Sequence, residues 1–314
     1  MDNPTNTDDG SPAPGATTAP AYRVPASGTL LGMDFSTMSW SDKVALLRRI
    51  LDGKIHGISF SPYADGQRPG VEVGEQQISA RLDIIRPYVN WIRSFSCIEG
   101  NQEIPRLARE RGMRTMVGID IGDDREDNEI ELANGIEVAR AGHADIVVVG
   151  NENLLRGDVP PDQLIAYIDR VRDAVPDVPV SFVDAYFLFE QHPAVVAACD
   201  VLLVNCYPFW EGVPAEYALL AMKEMYRRAQ RVADGKQVII SETGWPTAGT
   251  PFGGAVPSLG NALEYFLHTY QWAEEENVEI FYFSAFDEAW KIDAEGDVGA
   301  YWGLWDTDGN PKYV

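Results

Sequence analysis

Residues 144–152 read ADIVVVGNE, a continuous apolar run that ends on a glycine, an amide and a carboxylate. A run without polar alternation suits a parallel strand covered on both faces. The same texture recurs as VLLVN at 201–205 and QVIISE at 237–242. Working outward, short β-branched segments alternate with longer amphipathic ones. The pattern predicts strands over His56–Phe60, Val89–Ser94, Met113–Ile119, Asp145–Gly150, Pro179–Val183, Val201–Cys206, Gln237–Ser241 and Glu279–Ala285. Helical periodicity falls between them, at Gln77–Tyr88, Ile104–Arg111, Glu129–Ala141, Pro161–Val175, Ala215–Ala233 and Ser258–Glu276. Eight strands with intervening helices in about 260 residues is the arithmetic of an α/β fold of the (β/α)8, or TIM, barrel type. A doubly wound open sheet is the rival, but no glycine-rich phosphate turn follows the first strand, HGISFSPY. A further helical stretch, Ser41–Leu51, precedes the first strand and is expected to cover the gap where an eighth helix would pack.

The 314 residues carry 48 Asp plus Glu against 25 Lys plus Arg, a formal net charge of −23. Phosphate binding needs clustered cations, so nucleic acid is excluded as a partner. A neutral polymer such as a polysaccharide is not repelled. No apolar run reaches the ~20 residues needed to span a bilayer. The basic residues are mostly Arg, and an acidic, Lys-poor surface fits either a salt-adapted protein or an ordinary acidic one kept soluble by self-repulsion. Residues 1–27 are rich in Pro, Thr, Ser, Gly and Ala without hydrophobic period, which reads as a linker or disordered tail ahead of one domain, 28–314. Such stalks accompany exported proteins, so a secreted or cell-surface location is expected, as is a monomer. Cys97, Cys199 and Cys206 show no metal spacing. The last two, at opposite ends of one strand, would stand roughly 20 Å apart, too far for a disulfide. His56, His143, His192 and His268 are scattered, and no metal or cofactor site is expected.

Barrel chemistry sits at the carboxyl ends of the strands. The predicted ends present Ser61–Tyr63, Ser94–Ser96, Asp120, Asn151–Asn153, Asp184 with Tyr186, Tyr207–Glu211, Glu242–Pro246 and Asp287–Lys291. Glutamates and aromatic residues converge on one face. Glu152 and Glu242 each follow an apolar strand directly, and carboxylates brought to ~5 Å hydrolyse glycosides with retention of configuration. Either glutamate alone could merely cap a helix or pair with an arginine such as Arg156. The aromatics Trp40, Trp91 and Trp272 suit the core, whereas Trp245 and Trp302 lie in Gly- and Pro-containing loops where burial is less natural. The stretch Gly249–Gly254 reads as a flexible loop.

The segments VGNENLLRGD and SETGWP resemble the acid and nucleophile motifs of glycoside hydrolase family 17, the β-1,3-glucanase family, in its bacterial and archaeal form. The likeness continues through SFSPY, NCYPFWEGVP, FSAFDEAWK and GAYWGLWD and covers nearly all of 55–314. It implies Glu152 as general acid/base, Glu242 as nucleophile and Asn151 as the partner of the sugar 2-hydroxyl. Tyr207 matches the family's tyrosine beside the nucleophile, and Glu288 with Lys291 its charged pair on the eighth loop. Tyr63, Phe209, Trp210, Trp245, Trp290 and Trp302 would wall the glucosyl subsites. Ser284 stands where many relatives carry an acid, and Asp120 where close ones are aromatic. The resemblance implies an endo-acting, laminarin-type β-1,3-glucan hydrolase without cofactor. A glucanosyltransferase and a non-catalytic glucan-binding barrel are the alternatives.

Overall fold

The computed structural model describes residues 30–314; the predicted tail, 1–27, lies outside the described residues. The chain enters through α1 (Trp40–Asp52), whose first turn is closed by Ser39 Oγ accepting from the Asp42 amide at 3.2 Å. Then follow β1 (Ile55–Ser59), α2 (Glu75–Ile85), β2 (Val89–Arg93), α3 (Ile104–Glu110), β3 (Arg114–Ile119) and α4 (Arg125–Arg140). The second half continues with β4 (Ile146–Asn151), the short α5 (Asn153–Arg156), α6 (Pro161–Ala174) and β5 (Val180–Ala185). After β5 come two single-turn pieces, α7 (Tyr186–Gln191) and α8 (Pro193–Ala198), then β6 (Leu202–Asn205) and α9 (Ala215–Val232). The chain closes through β7 (Val238–Thr243), α10 (Leu259–Glu276), β8 (Ile280–Tyr282) and α11 (Ile292–Glu295).

All eight strands are parallel and pair in sequence order, and β8 returns to β1 to close the barrel. Closure removes the open-sheet rival. The continuous apolar runs are explained by two covered faces. Trp91, Met116, Ile146, Val148, Val183, Leu203, Ile239 and Phe281 fill the barrel interior, while the intervening positions meet the helices. Burying each aliphatic side chain of this kind stabilises the fold by ~1.5–3 kcal/mol. Helix α1 packs on α10, and its Arg48 Nε donates to Tyr313 O at 3.1 Å, so it covers the seam where only the four-residue α11 follows β8.

Boundaries lie within four residues of the predicted ones, and the largest shift is the start of α4, at Arg125 rather than Glu129. Strand β8 ends at Tyr282 rather than Ala285, because Ala285 N turns to Ser59 O at 2.9 Å and Leu304 N meets Ser284 O at 3.0 Å. The Phe283–Ser284 peptide is cis. Helices α5, α7, α8 and α11 have four to six residues each, too few for a helical period to register. Trp91 and Trp272 are buried as expected, but Trp40 is 48 % exposed at the start of α1. All three cysteines are buried free thiols.

Candidate active site

Strand alternation sets the site. Two residues beyond the apolar interior layer, the inward positions turn polar: Trp91 is followed by Arg93, Leu203 by Asn205 and Ile239 by Ser241. The two strands that carry the glutamates are irregular at their ends. The β4–β5 register shifts between Val148 and Asn151, and β7 shifts against both β6 and β8 near Glu242. Such irregularities re-aim side chains at the rim of a barrel.

Glu152 leaves β4 in the left-handed region, at φ 55° and ψ 26°. A non-glycine residue there costs of order 1–3 kcal/mol and persists only where its surroundings over-determine it. They do. Glu152 N donates to Val183 O at 2.8 Å, and Asp184 accepts from Leu154 N at 3.0 Å. Asn153 Nδ2 reaches Ile121 O at 2.6 Å and Asp158 Oδ1 at 2.9 Å. The Glu152 side chain does not cap α5; it accepts from Asn205 Nδ2 at 2.8 Å. Arg156 turns instead to Asn151 O, at 2.7 Å, and to Asp158. Burial, and next the charge of Glu242, hold the Glu152 carboxyl above the ordinary carboxylate range.

Glu242 is buried and paired with Arg93 Nη1, while Tyr207 Oη donates to its Oε2 at 2.7 Å. Burial, and next Glu242's charge, push the Tyr207 hydroxyl well up, so it remains a donor. Arg93 Nη2 also donates to Asn151 Oδ1 at 2.8 Å, so one guanidinium positions both the Asn151 amide and the Glu242 carboxylate. Sequence reasoning missed Arg93 and Asn205. The signal was present in VNWIRS: an arginine at an inward position of a strand must find a buried partner.

The two glutamates stand where two cavities meet. One, of about 540 Å³, includes Tyr63, Phe95, Asp120, Asn151, Trp290 and Lys291 in its wall; the other, of about 530 Å³, includes Tyr186, Asn205, Tyr207, Trp210 and Trp302. Glu152, Glu242, Phe283 and Glu295 line both. Glu295 is a further carboxylate beside the pair, pushed up to about 7 chiefly by burial, and sits on the four-residue α11 that the sequence did not reveal.

Three expectations need correction. Phe209 and Trp245 do not face the cleft: they are 0 % and 1 % exposed, Trp245 Nε1 donates to Val256 O at 3.0 Å, and the Phe209 ring backs Trp210 and Trp302 with Trp245 packed behind it. The loop after β7 folds inward, so Gly and Pro nearby did not signal exposure. Trp302, though only 2 % exposed, still contributes to the wall. Glu288 turns away from the paired glutamates into a neighbouring cavity of about 450 Å³, shared with Tyr63 and Trp290. Its carboxylate accepts from Lys291 Nζ at 2.6 Å and Trp290 Nε1 at 3.1 Å, and the ammonium lies 4.0 Å over the Phe283 ring. Arg93 and Tyr207, rather than Lys291, hold Glu242.

Paired glutamates on β4 and β7, at the mouth of a closed barrel and flanked by aromatic walls, define a barrel glycoside hydrolase. Residues 57–303 match the BtgE/BtgC glycoside hydrolase domain, and the chain belongs to that family. The likeness to glycoside hydrolase family 17 holds. The family 17 β-1,3-glucanosyltransferase of Rhizomucor miehei superposes with a TM-score of 0.74 at 29 % identity, over 83 % of this chain and 96 % of that one. A glucan 1,3-β-glucosidase of Schizosaccharomyces pombe is 30 % identical over 256 residues, 74 % of this chain and 78 % of its own length. An endo-laminarinase from Formosa Hel1_33_131 shares the fold, with a TM-score of 0.74 at 20 % identity.

Proposed function

We propose that the chain is a retaining β-1,3-glucan hydrolase, endo-acting on laminarin-type substrates. The observation that carries this reading is the unequal surroundings of the two glutamates. Glu242, held by Arg93 and Tyr207, is the carboxylate; Glu152, buried beside it, is the acid. In the first step Glu242 attacks the anomeric carbon, the glycosidic C–O bond breaks, and the leaving oxygen takes the proton of Glu152. In the second, Glu152 removes a proton from water as that water displaces Glu242. Asn151, oriented by Arg93, is placed for the 2-hydroxyl of the sugar under attack, a contact that strengthens in the transition state. Tyr63 and Trp290 then flank the glycon side, and Trp210 and Trp302 the aglycon side. Lys291, in the wall of the glycon cavity, is placed for a substrate hydroxyl.

Transfer to a second glucan in place of water is the other reading, favoured by the named activity of the Rhizomucor relative and by the aromatic aglycon wall. Relatives also include a Candida albicans cell surface mannoprotein, 28 % identical over 268 residues, which supports a secreted or cell-surface location. The test is time-resolved product profiling on a linear β-1,3-glucan. Progressively shorter internal fragments support endo hydrolysis, and products longer than the substrate support transfer. Glucose released singly overturns endo action, and a chain inert on the polymer is a binding barrel.

A further inference from the structure

An aromatic ladder leads outward from the Glu242 carboxylate. Tyr207, which hydrogen-bonds it, stands 5.4 Å from Trp302, ring centre to ring centre. Trp302 stands 5.7 Å from half-buried Trp210, and Trp210 stands 5.8 Å from Phe252. Phe252 lies beyond the cleft wall and is 48 % exposed. It is nonetheless held firmly. Phe252 and Ala255 exchange backbone hydrogen bonds of 3.0 and 2.9 Å, and Gly254 N donates to Gly212 O at 2.8 Å in the loop that carries Trp210. Added Cβ atoms at Gly212 and Gly253 would crowd one another's backbone at 3.3 and 3.0 Å, so the close approach of the two loops relies on both glycines. Thr250 fixes the base of the turn through two bonds to Asp297, both 2.9 Å. The expected flexible loop is therefore a braced turn.

An exposed aromatic ring on a braced turn, 5.8 Å from a ring of the cleft wall, offers a rigid face on which a sugar ring can stack. We propose that Phe252 is an outer aglycon subsite, a platform for a glucosyl unit of the leaving or accepting β-1,3-glucan chain beyond those on Trp302 and Trp210. This inference rests on the glucan reading above. The Phe252 ring is turned 73° from Trp210, so the platform bends. A bent platform suits a chain that coils, as a 1,3-linked glucan does, rather than a flat ribbon.

The test compares laminaritriose with laminarihexaose in wild type, Phe252→Ala and Phe252→Tyr, with the site of cleavage read from end-labelled substrate. Phe252→Ala is expected to lower the long-to-short ratio of kcat/KM by about 3- to 10-fold, the range of one aromatic stacking contact. Cleavage of the hexaose should also move toward the reducing end, since fewer units are then held on the aglycon side. Phe252→Tyr keeps the ring and should retain both properties. An equal loss on both substrates, or an unmoved cleavage site, overturns the proposal while leaving the glucan reading intact. A wild type inert on both sugars overturns the two together.

Discussion

The two glutamates differ only in their neighbours, and those neighbours set their roles. Glu242→Gln should abolish turnover while folding and glucan binding stay near normal, because the amide keeps the shape but is a far weaker nucleophile; appreciable residual hydrolysis would point to another attacking group. Glu152, with its carboxyl held high by burial and by Glu242, should give the basic limb of a bell-shaped pH–rate profile. Glu152→Ala should lose that limb and be rescued by azide on activated aryl glucosides, whose leaving group needs no proton. Arg93 is 1 % exposed and pairs with a buried carboxylate, so Arg93→Met should cost about 3–5 kcal/mol, measured by denaturant unfolding, by stranding Glu242 in the interior. The double variant Arg93→Met/Glu242→Gln should recover part of that loss, since no buried charge is left unpaired. A double variant less stable than Arg93→Met would assign the loss to packing instead.

At the scale of elements, the catalytic geometry depends on how β4 ends. Gly150 has φ 83°, and a Cβ there would meet Asn153 Oδ1 at 2.2 Å. Gly150→Ala should displace Asn153 from Ile121 O and Asp158, and with it the left-handed turn that presents Glu152. Strain and lost hydrogen bonds together predict a destabilisation of ~2–4 kcal/mol and a fall in kcat of at least ~10-fold, read from melting curves and steady-state kinetics. The eighth loop carries a charged pair of its own. As an exposed bridge, Glu288–Lys291 would contribute ~1 kcal/mol or less, but both members are at least nine-tenths buried. Lys291→Met should therefore lower the melting temperature as well as kcat, because it removes the ion partner of the buried Glu288 and leaves it hydrogen-bonded to Trp290.

Across the whole molecule, two buried acids other than the catalytic pair make stability pH-dependent. Burial pushes Glu131 and Asp184 up to about 7, against hydrogen bonds from Ser96 Oγ and the Cys97 amide in one case and the Ala185 and Leu154 amides in the other. Both brace the strand-end loops. Between about pH 4 and pH 7 the native chain keeps these protons and the unfolded chain does not, so stability falls as pH rises through that window. The charge of −23 acts in the same sense by self-repulsion. Melting temperature at high salt, where repulsion is screened, should be higher at pH 5 than at pH 7.5. An equal or reversed order would show that the two acids are ionised in the folded state.

The sequence alone determined the barrel, because continuous apolar runs spaced by amphipathic helices have few parallel-sheet solutions. It also placed Glu152 and Glu242, because a carboxylate directly after such a run must stand at the strand's carboxyl end. Arg93, Asn205 and Glu295 escaped it. Their partners come from other strands or from a helix too short to show a period, and nothing local says which buried polar group will meet which. The aromatics divided for the same reason: Trp245 and Phe209 became backing, and Phe252 became an exposed, braced ring. Burial in a loop is decided by what folds over it. Only tertiary packing, and the register shifts of β4 and β7 that aim each glutamate, decided the architecture of the cleft.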